Sequence, residues 1–123
     1  MKFHLYKFYQ NHLLELLIQE HYVDEERYSR SFCRGKFRIK KWGKRKIINE
    51  LKKKRISDVC ITNGLEEIDD IEYLEELDSI CQKKKDSIKE KNHFIKKKKI
   101  ATYLINKGYE SNLVWDKLRE LKE

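Results

Sequence analysis

Four cationic residues near the middle of the chain recur at intervals of three or four: Arg30, Arg34, Arg38 and Lys41. On a helix this spacing places them in one line, which we call the arginine stripe. A guanidinium binds a carboxylate or a phosphate through two parallel hydrogen bonds, which lysine does not match. Like charges at this spacing repel one another, so the stripe carries a cost that a binding role would explain.

The basic run continues past the stripe to Lys46, and Trp42-Gly43 interrupts it. Trp42 would stack on a base or fill a partner's pocket, but at a hinge between two helices a tryptophan is more often part of the core. For the basic residues the simpler alternative is a solvated helix face. The candidate partner- and DNA-binding residues are Arg30, Arg34, Lys36, Arg38, Lys40, Lys41, Trp42, Lys44, Arg45 and Lys46.

The sequence contains no pattern that indicates catalysis or cofactor binding. The sequence has no glycine-rich phosphate loop, no His and Glu at metal-ligand spacing and no nucleophile–base signature. The three cysteines, Cys33, Cys60 and Cys81, are widely spaced, which disfavours a disulfide framework or a zinc site. We therefore predict a protein that is not an enzyme, with no cofactor, no metal and reduced thiols in the cytoplasm.

Composition favours an all-α protein that binds polyanions. The 123 residues include no proline and only four glycines, too little turn punctuation for a sheet of many strands. Charged residues make up 41% of the chain and the net charge is +8, which draws a protein to nucleic acid or to acidic surfaces. No apolar window approaches the length of a membrane span, so we predict no membrane association.

The charges alternate in blocks along the chain. Between Arg30 and Arg55 the only acidic residue is Glu50, whereas residues 57–82 contain no lysine or arginine and many carboxylates. A second basic block opens at Lys83 and ends at Lys99. We interpret the run 96–99 as solvated, with contact to DNA as the alternative.

Hydrophobic spacing predicts a lead-in helix over residues 3–22, with Leu13, Leu14, Leu17 and Ile18 as its apolar stripe. A role for this stripe in the core, or against a partner helix, is expected over a membrane-surface role because the polar face has mixed charge.

Asp24 predicts the start of the next helix, since Asp is a good N-cap and glutamates follow it. Tyr28, Phe32 and Ile39 share one face of that helix, which we expect to point inward. Gly43 is expected to end the helix in a left-handed turn.

Two further helices follow, one over residues 44–54 with Ile47 and Leu51 inward, and one after a cap at Ser57 or Asp58. Gly64 inside the latter should weaken it.

The pattern then recurs downstream at a fixed offset, which indicates tandem repeats. Ile100 aligns with Ile47, Leu104 with Leu51, Val114 with Ile61 and Leu118 with Leu65, while Gly108 falls on Arg55. Ser111 is expected to cap the last helix.

Several stretches of the chain share one ordered pattern: residues 22–28 (YVDEERY), the basic helix after them, and the segments Trp42-Gly43-Lys44-Arg45-Lys46-Ile47, Glu50-Leu51 and Lys54-Arg55-Ile56. In this pattern the chain resembles the RecX family of RecA regulators. The resemblance is close over residues 13–68 and looser in the second copy. Two departures stand out: family members commonly have proline where this chain has Lys44, and glycine where it has Arg55.

The resemblance implies tandem three-helix repeats in an elongated, curved array that binds the groove of the RecA–single-stranded DNA filament and restrains its activity in DNA repair and the SOS response. It also implies that residues 1–23 are the last helix of an incomplete first repeat, followed by repeats at 24–69 and 70–123. We expect a cytoplasmic monomer. The alternatives are a basic helical module that binds single- or double-stranded nucleic acid directly, and a scaffold whose acidic segment binds a second copy.

Overall fold

The computed structural model describes the backbone of residues 2–121 and the side chains of Leu13 and residues 15–121. This part of the chain is all-α and contains no strand, which confirms the predicted fold class. The helices are α1 Lys2–Arg38, α2 Lys44–Lys53, α3 Asp58–Leu65, α4 Asp70–Ser87, α5 His93–Asn106 and α6 Ser111–Glu120.

The predicted helix start at Asp24 is wrong, because α1 runs without interruption through residues 22–24. No glycine or proline stands there to stop a helix. The carboxylate of Glu25, expected to serve the start of its own helix, instead accepts a hydrogen bond from the Ser57 backbone N–H at the start of α3. The division of the chain at residue 23 stays a prediction. The side chain of Leu14 lies outside the described residues, while Leu13, Leu17 and Ile18 are exposed.

The inward face of α1 also differs from the expected one. Tyr28 and Ile39 are exposed, and Phe32 is only partly buried against the core. Neighbouring residues are buried instead: Ser29 follows Tyr28, Cys33 follows Phe32, and Phe37 lies two residues before Ile39. The spacing of large apolar residues does not predict burial of Ser29, because this burial depends on contact with another helix.

That partner is α3, which crosses α1 at close range. The Ser29 hydroxyl donates a 2.7 Å hydrogen bond to the Cys60 carbonyl, so the buried hydroxyl is satisfied. A Cβ at Gly64 would collide with Ser29. Gly64 is therefore required for the close crossing of α1 and α3 rather than being a simple weak point in α3. Ser57 caps α3 as predicted, accepting from Cys60 N.

The aligned positions of the two repeats occupy the same core. Ile47 and Ile100, Leu51 and Leu104, and Ile61 and Val114 are all buried, which confirms the predicted register. Leu118 is buried and its counterpart Leu65 is partly buried against the same cluster. Two other expectations are wrong. Val59, which helical spacing placed on the inward strip of α3, is exposed. The N-cap of α6 is Glu110 rather than Ser111, and it makes no side-chain cap hydrogen bond.

The two repeats join through the start of α2. The α2 N-cap, Gly43, makes no side-chain cap hydrogen bond, and the free N–H groups there donate to the second repeat instead. Gly43 N donates to the Lys107 carbonyl at 2.9 Å, and Arg45 N donates to the Gly108 carbonyl at 2.9 Å. Lys44 N donates to the Tyr73 hydroxyl at 2.9 Å.

Aromatic side chains continue this contact into the core. The Tyr73 ring lies 5.8 Å from Phe37 and 5.1 Å from Tyr109, measured between centroids. The Tyr109 hydroxyl donates to the Lys41 carbonyl at 3.0 Å, and the Tyr73 hydroxyl donates to Glu110. Burial raises the pKa of both phenols, so both remain protonated donors.

Gly43 does not supply the left-handed turn that was expected of it. Its φ is −74°, whereas Lys41 has the positive φ, 60°. Glycine is needed at position 43 because a Cβ there would overlap the backbone of Gly108 and Tyr109.

Substituting Gly43 by Ala should destabilise the protein by about 2 kcal/mol or more, because backbone atoms that cannot rotate away must shift. Gly35→Ala is the matched control: it lies within α1 with nothing within 4 Å of an added Cβ, so it should stabilise by up to about 1 kcal/mol. Urea unfolding followed by circular dichroism measures both, and equal effects of the two substitutions would contradict the close contact at the junction.

Arg55 occupies a left-handed conformation, with φ of 62°, at the position aligned with Gly108, which has φ of 108°. Arg55→Gly should therefore stabilise the protein by about 1 kcal/mol by relieving this backbone strain. Lys53→Gly, inside α2, should instead cost about 1 kcal/mol. Urea midpoints give the comparison, and a loss of stability in Arg55→Gly would contradict it.

Candidate nucleic-acid and partner interface

The arginine stripe faces the acidic segment of the same chain. Arg34 pairs with Glu67 at 2.8 Å, and Lys41 pairs with Glu76 at 3.6 Å. Arg30 lies 3.6 Å from Glu66. These cations were expected to point outward for a partner, and three of the four are engaged in ion pairs within the chain.

Packing of α1 on α3 explains this arrangement. The buried face of α1 includes Cys33 and Phe37, so the residues that follow each of them, Arg34 and Arg38, come to its edge. The acidic residues directly after α3 and at the start of α4 lie along that edge. Arg38 remains exposed without an ion pair among the described residues, and it lines a small groove with Glu72 and Glu75.

A second set of cations surrounds Trp42 and has no carboxylate partner among the described residues. The Lys36 ammonium lies 4.9 Å from the Trp42 ring centroid and 5.5 Å from that of Phe32. Lys46 lies 4.5 Å from Trp42, and Lys54 lies 5.9 Å from Phe32. We call Phe32, Lys36, Trp42, Lys46 and Lys54 the Trp42 cluster. Such cation–π contacts contribute about 0.5–1 kcal/mol each where solvent reaches them.

The turn after α1 positions this cluster. Lys41 N donates to the Phe37 carbonyl and Trp42 N to the Lys36 carbonyl, each at 3.1 Å. With Lys41 in the left-handed conformation, the chain reverses and brings the Trp42 ring to 6.3 Å from Phe32, edge to face. Trp42 is partly buried against the core, so it has both a structural side and an accessible side.

A groove of about 810 Å³ extends from the cluster across the repeat junction. We call it the junction groove. Lys46 belongs to the Trp42 cluster and also lines this groove. The opposite wall comes from the end of α5 and the loop after it, including Asn106 and Gly108. Residues of α2 complete its first wall: Arg45, Lys46, Asn49, Glu50, Lys52 and Lys53.

The predicted site residues thus fall into separate environments. Arg30, Arg34, Lys41 and Lys44 pair with carboxylates of the chain, Lys44 with Asp70 at 3.3 Å.

The Trp42 cluster contains Lys36, Trp42 and Lys46, and the junction groove is lined by Arg45 and Lys46. Arg38 is exposed at the end of α1, and Lys40 is exposed in the turn after it. Their role in binding stays a prediction. Two residues that the sequence did not place in the site also belong to this surface. Phe32 was interpreted as structural only. Asn49 could have been found from its position one turn after Arg45 on α2, which puts both on the same helix face.

The cysteine side chains lie in the core of the described residues. Burial raises the pKa of the Cys33 thiol to about 11, which makes it a poor nucleophile. All three cysteines are free and buried. Within the described residues, no group of three or more His, Cys, Asp or Glu side chains could hold a metal ion.

Two family models match consecutive parts of the chain: "RecX, second three-helix domain" over residues 24–65 and "RecX, third three-helix domain" over residues 70–118. Together they cover most of the sequence. This chain belongs to the RecX family.

Curated relatives carry the name "Regulatory protein RecX". The protein from Bacillus cytotoxicus is 26% identical over 111 residues, which is 90% of this chain and 41% of the relative. Those from Bacillus thuringiensis and Bacillus cereus are 27% identical over 107 residues, 87% of this chain and 40% of each relative. The chain therefore spans about two fifths of the length of these regulatory proteins.

No solved structure matches the chain. Among the described residues, none of the helices has the length and apolar character needed to cross a membrane.

Charge reversal separates the two cationic faces. Arg34→Glu should destabilise the protein by about 1 kcal/mol through repulsion from Glu67, and the swap Arg34→Glu/Glu67→Arg should restore most of that loss. Arg45→Glu, at an exposed position of the junction groove with no carboxylate partner among the described residues, should change stability far less. Urea unfolding at low salt measures all three, and equal losses for Arg34→Glu and Arg45→Glu would contradict the assignment.

Proposed function

We propose that this chain is a RecX-like regulatory protein that binds the RecA–single-stranded DNA filament and restrains recombinase activity. Membership of the RecX family supports the partner, since RecA regulation is what the family name implies. The observation that carries the binding surface is that the lysines of the Trp42 cluster have no carboxylate partner among the described residues. Three of the four residues of the arginine stripe, in contrast, form ion pairs within the chain.

A groove crossing two repeats suits a ligand that also repeats. The Trp42 cluster lies in the first repeat, and the far wall of the junction groove, at Asn106 and Gly108, belongs to the second. A filament presents equivalent sites at regular intervals, so a tandem array could contact successive protomers or the strand that they hold. We place the protein in the cytoplasm, as a monomer, where such filaments form.

Direct binding of nucleic acid is a second candidate, and the Trp42 cluster favours it specifically. Rings flanked by unpaired lysines combine stacking surfaces for bases with charges for phosphates. Such binding should weaken steeply with salt, with a log–log slope of about −0.7 for each phosphate contacted on a single strand.

The ATPase activity of RecA on single-stranded DNA, measured with and without this chain, tests the proposal. The chain should lower the steady-state rate. Trp42→Ala/Lys46→Gln should require about tenfold more protein for the same effect, because it removes a ring and a charge near the centre of the surface. Lys89→Gln, an exposed lysine outside both the Trp42 cluster and the junction groove, is the matched charge control.

Binding to naked and RecA-coated single strands, compared at several salt concentrations, separates the two candidates. Tighter binding to the coated strand supports the filament regulator. Equal binding to both, with an unchanged ATPase rate, would leave only the direct nucleic-acid binder.

A further inference from the structure

The second repeat, like the first, carries an aromatic ring beside two lysines. The two rings lie on different helices of their repeats, since Phe32 is on α1 and Tyr103 is on α5. Lys54 caps the C-terminus of α2 and lies 5.9 Å from the Phe32 ring. Lys107 caps the C-terminus of α5 and lies 5.8 Å from the Tyr103 ring. The aligned register of the repeats makes these two lysines equivalent.

A lysine from the first helix of each repeat also approaches the ring. Lys36 of α1 lies 5.5 Å from Phe32, and Lys84 of α4 lies 4.2 Å from Tyr103. Each repeat therefore has one ring with two ammonium groups nearby. We call Lys84, Tyr103 and Lys107 the Tyr103 site.

A groove of about 690 Å³ opens beside Tyr103, between α4 and α5. Its floor includes Ile88 and Ile95, and Lys84 and Lys98 line it. The surrounding stretch, residues 83–99, contains nine lysines against two carboxylates. Glu90 is one of these carboxylates, and hydrogen bonds from the Asn92 backbone and from Lys99 lower its pKa, so it stays charged and offsets only one lysine.

The two sites are connected through shared residues. Lys46 belongs to the Trp42 cluster and to the junction groove, and Asn106 lines both the junction groove and the Tyr103 groove. The two grooves thus adjoin at Asn106, with the Trp42 cluster at the far end of one and Tyr103 in the other.

We propose that the Tyr103 site is a second subsite for single-stranded nucleic acid, and that one strand occupies it together with the Trp42 cluster. This inference rests on the nucleic-acid candidate of the proposed function and adds a binding site in the second repeat. Tyr103 is exposed, so its ring can accept a base while the lysines beside it bind phosphates, and bases in a single strand are free to stack.

The tandem arrangement favours a polymer as the ligand. Two sites of similar composition, one in each repeat, match a chain that repeats phosphate and base at each step. Simultaneous use of both sites makes the second contact intramolecular, which raises affinity without requiring strong binding at either one.

Fluorescence anisotropy of the full chain with labelled oligothymidylate of about 30 nucleotides, long enough for several stacking contacts, tests the subsite. Tyr103→Ala should raise the dissociation constant about tenfold, whereas Tyr103→Phe, which keeps the ring, should bind like the native chain. Tyr103 is exposed, and circular dichroism checks that both variants keep their helices. Native affinity in Tyr103→Ala would overturn the proposal.

The salt dependence of the same titration tests the lysines. Lys84→Gln should make the log–log slope shallower by about 0.7, because one phosphate contact is lost. Lys83→Gln, its neighbour on α4 outside the groove, should change the slope much less. Equal changes in the two variants would indicate general attraction to a basic surface and would overturn a specific subsite.

Quenching of Trp42 fluorescence, in a Trp115→Phe background that removes the other tryptophan, tests whether one strand spans both sites. Tyr103→Ala should shift the midpoint of Trp42 quenching to higher oligonucleotide concentration. An unchanged midpoint beside weakened total binding would contradict a shared strand.

The RecA assay distinguishes this inference from the proposed function. If Tyr103→Ala binds naked strands normally but no longer lowers the ATPase rate, the groove contacts protein and the inference fails while the filament proposal stands. If the native chain leaves the ATPase rate unchanged yet binds strands through Tyr103, the filament proposal fails and the subsite stands.

Discussion

The fold depends on how the first turn of α2 satisfies its backbone N–H groups. A helix start leaves several donors without intrahelical partners, and a side-chain cap usually takes at least one of them. Gly43 has no side chain to offer, so the carbonyls of Lys107 and Gly108 and the hydroxyl of Tyr73 accept these hydrogen bonds. The second repeat is therefore the N-terminal cap of α2, and neither repeat is complete in hydrogen bonding without the other.

This junction also decides which charges remain available. With α4 held against the end of α1 through Phe37 and Tyr73, the carboxylates at the start of α4 lie beside the arginine stripe. The alternating blocks of charge in the sequence thus become internal ion pairs on one side and an excess of lysine on the other. Exposed pairs of this kind contribute little to stability, so their main effect is to direct the net positive charge toward the α2 and α5 side.

Much of the fold was predictable from the sequence, because apolar spacing within α2, α3, α5 and α6 is a local property. The aligned pair Ile47 and Ile100 needed only that spacing. The interior of α1 was not predictable in this way: Ser29 is buried because Gly64, more than thirty residues later, allows α3 to approach. The ion pairs of the arginine stripe were not predictable for the same reason, since pairs such as Arg34–Glu67 join residues that are distant in sequence.

The structure explains both departures from the family pattern, Lys44 at the repeat junction and Arg55 in the turn after α2. Proline at position 44 would have no N–H to give to the Tyr73 hydroxyl, so lysine there allows a hydrogen bond between repeats that proline would remove. Arginine at position 55 keeps the left-handed turn that glycine adopts more easily, at a cost of about 1 kcal/mol. The turn forms even without glycine. Its geometry is held by the Ile56 N–H, which donates to the Leu51 carbonyl across the turn, and by the packing of Leu51 and Ile56. In the second repeat Tyr109 N donates to Leu104 in the same way, so the repeat geometry is carried by the backbone hydrogen bonds and the buried leucines, and surface residues between them are free to differ.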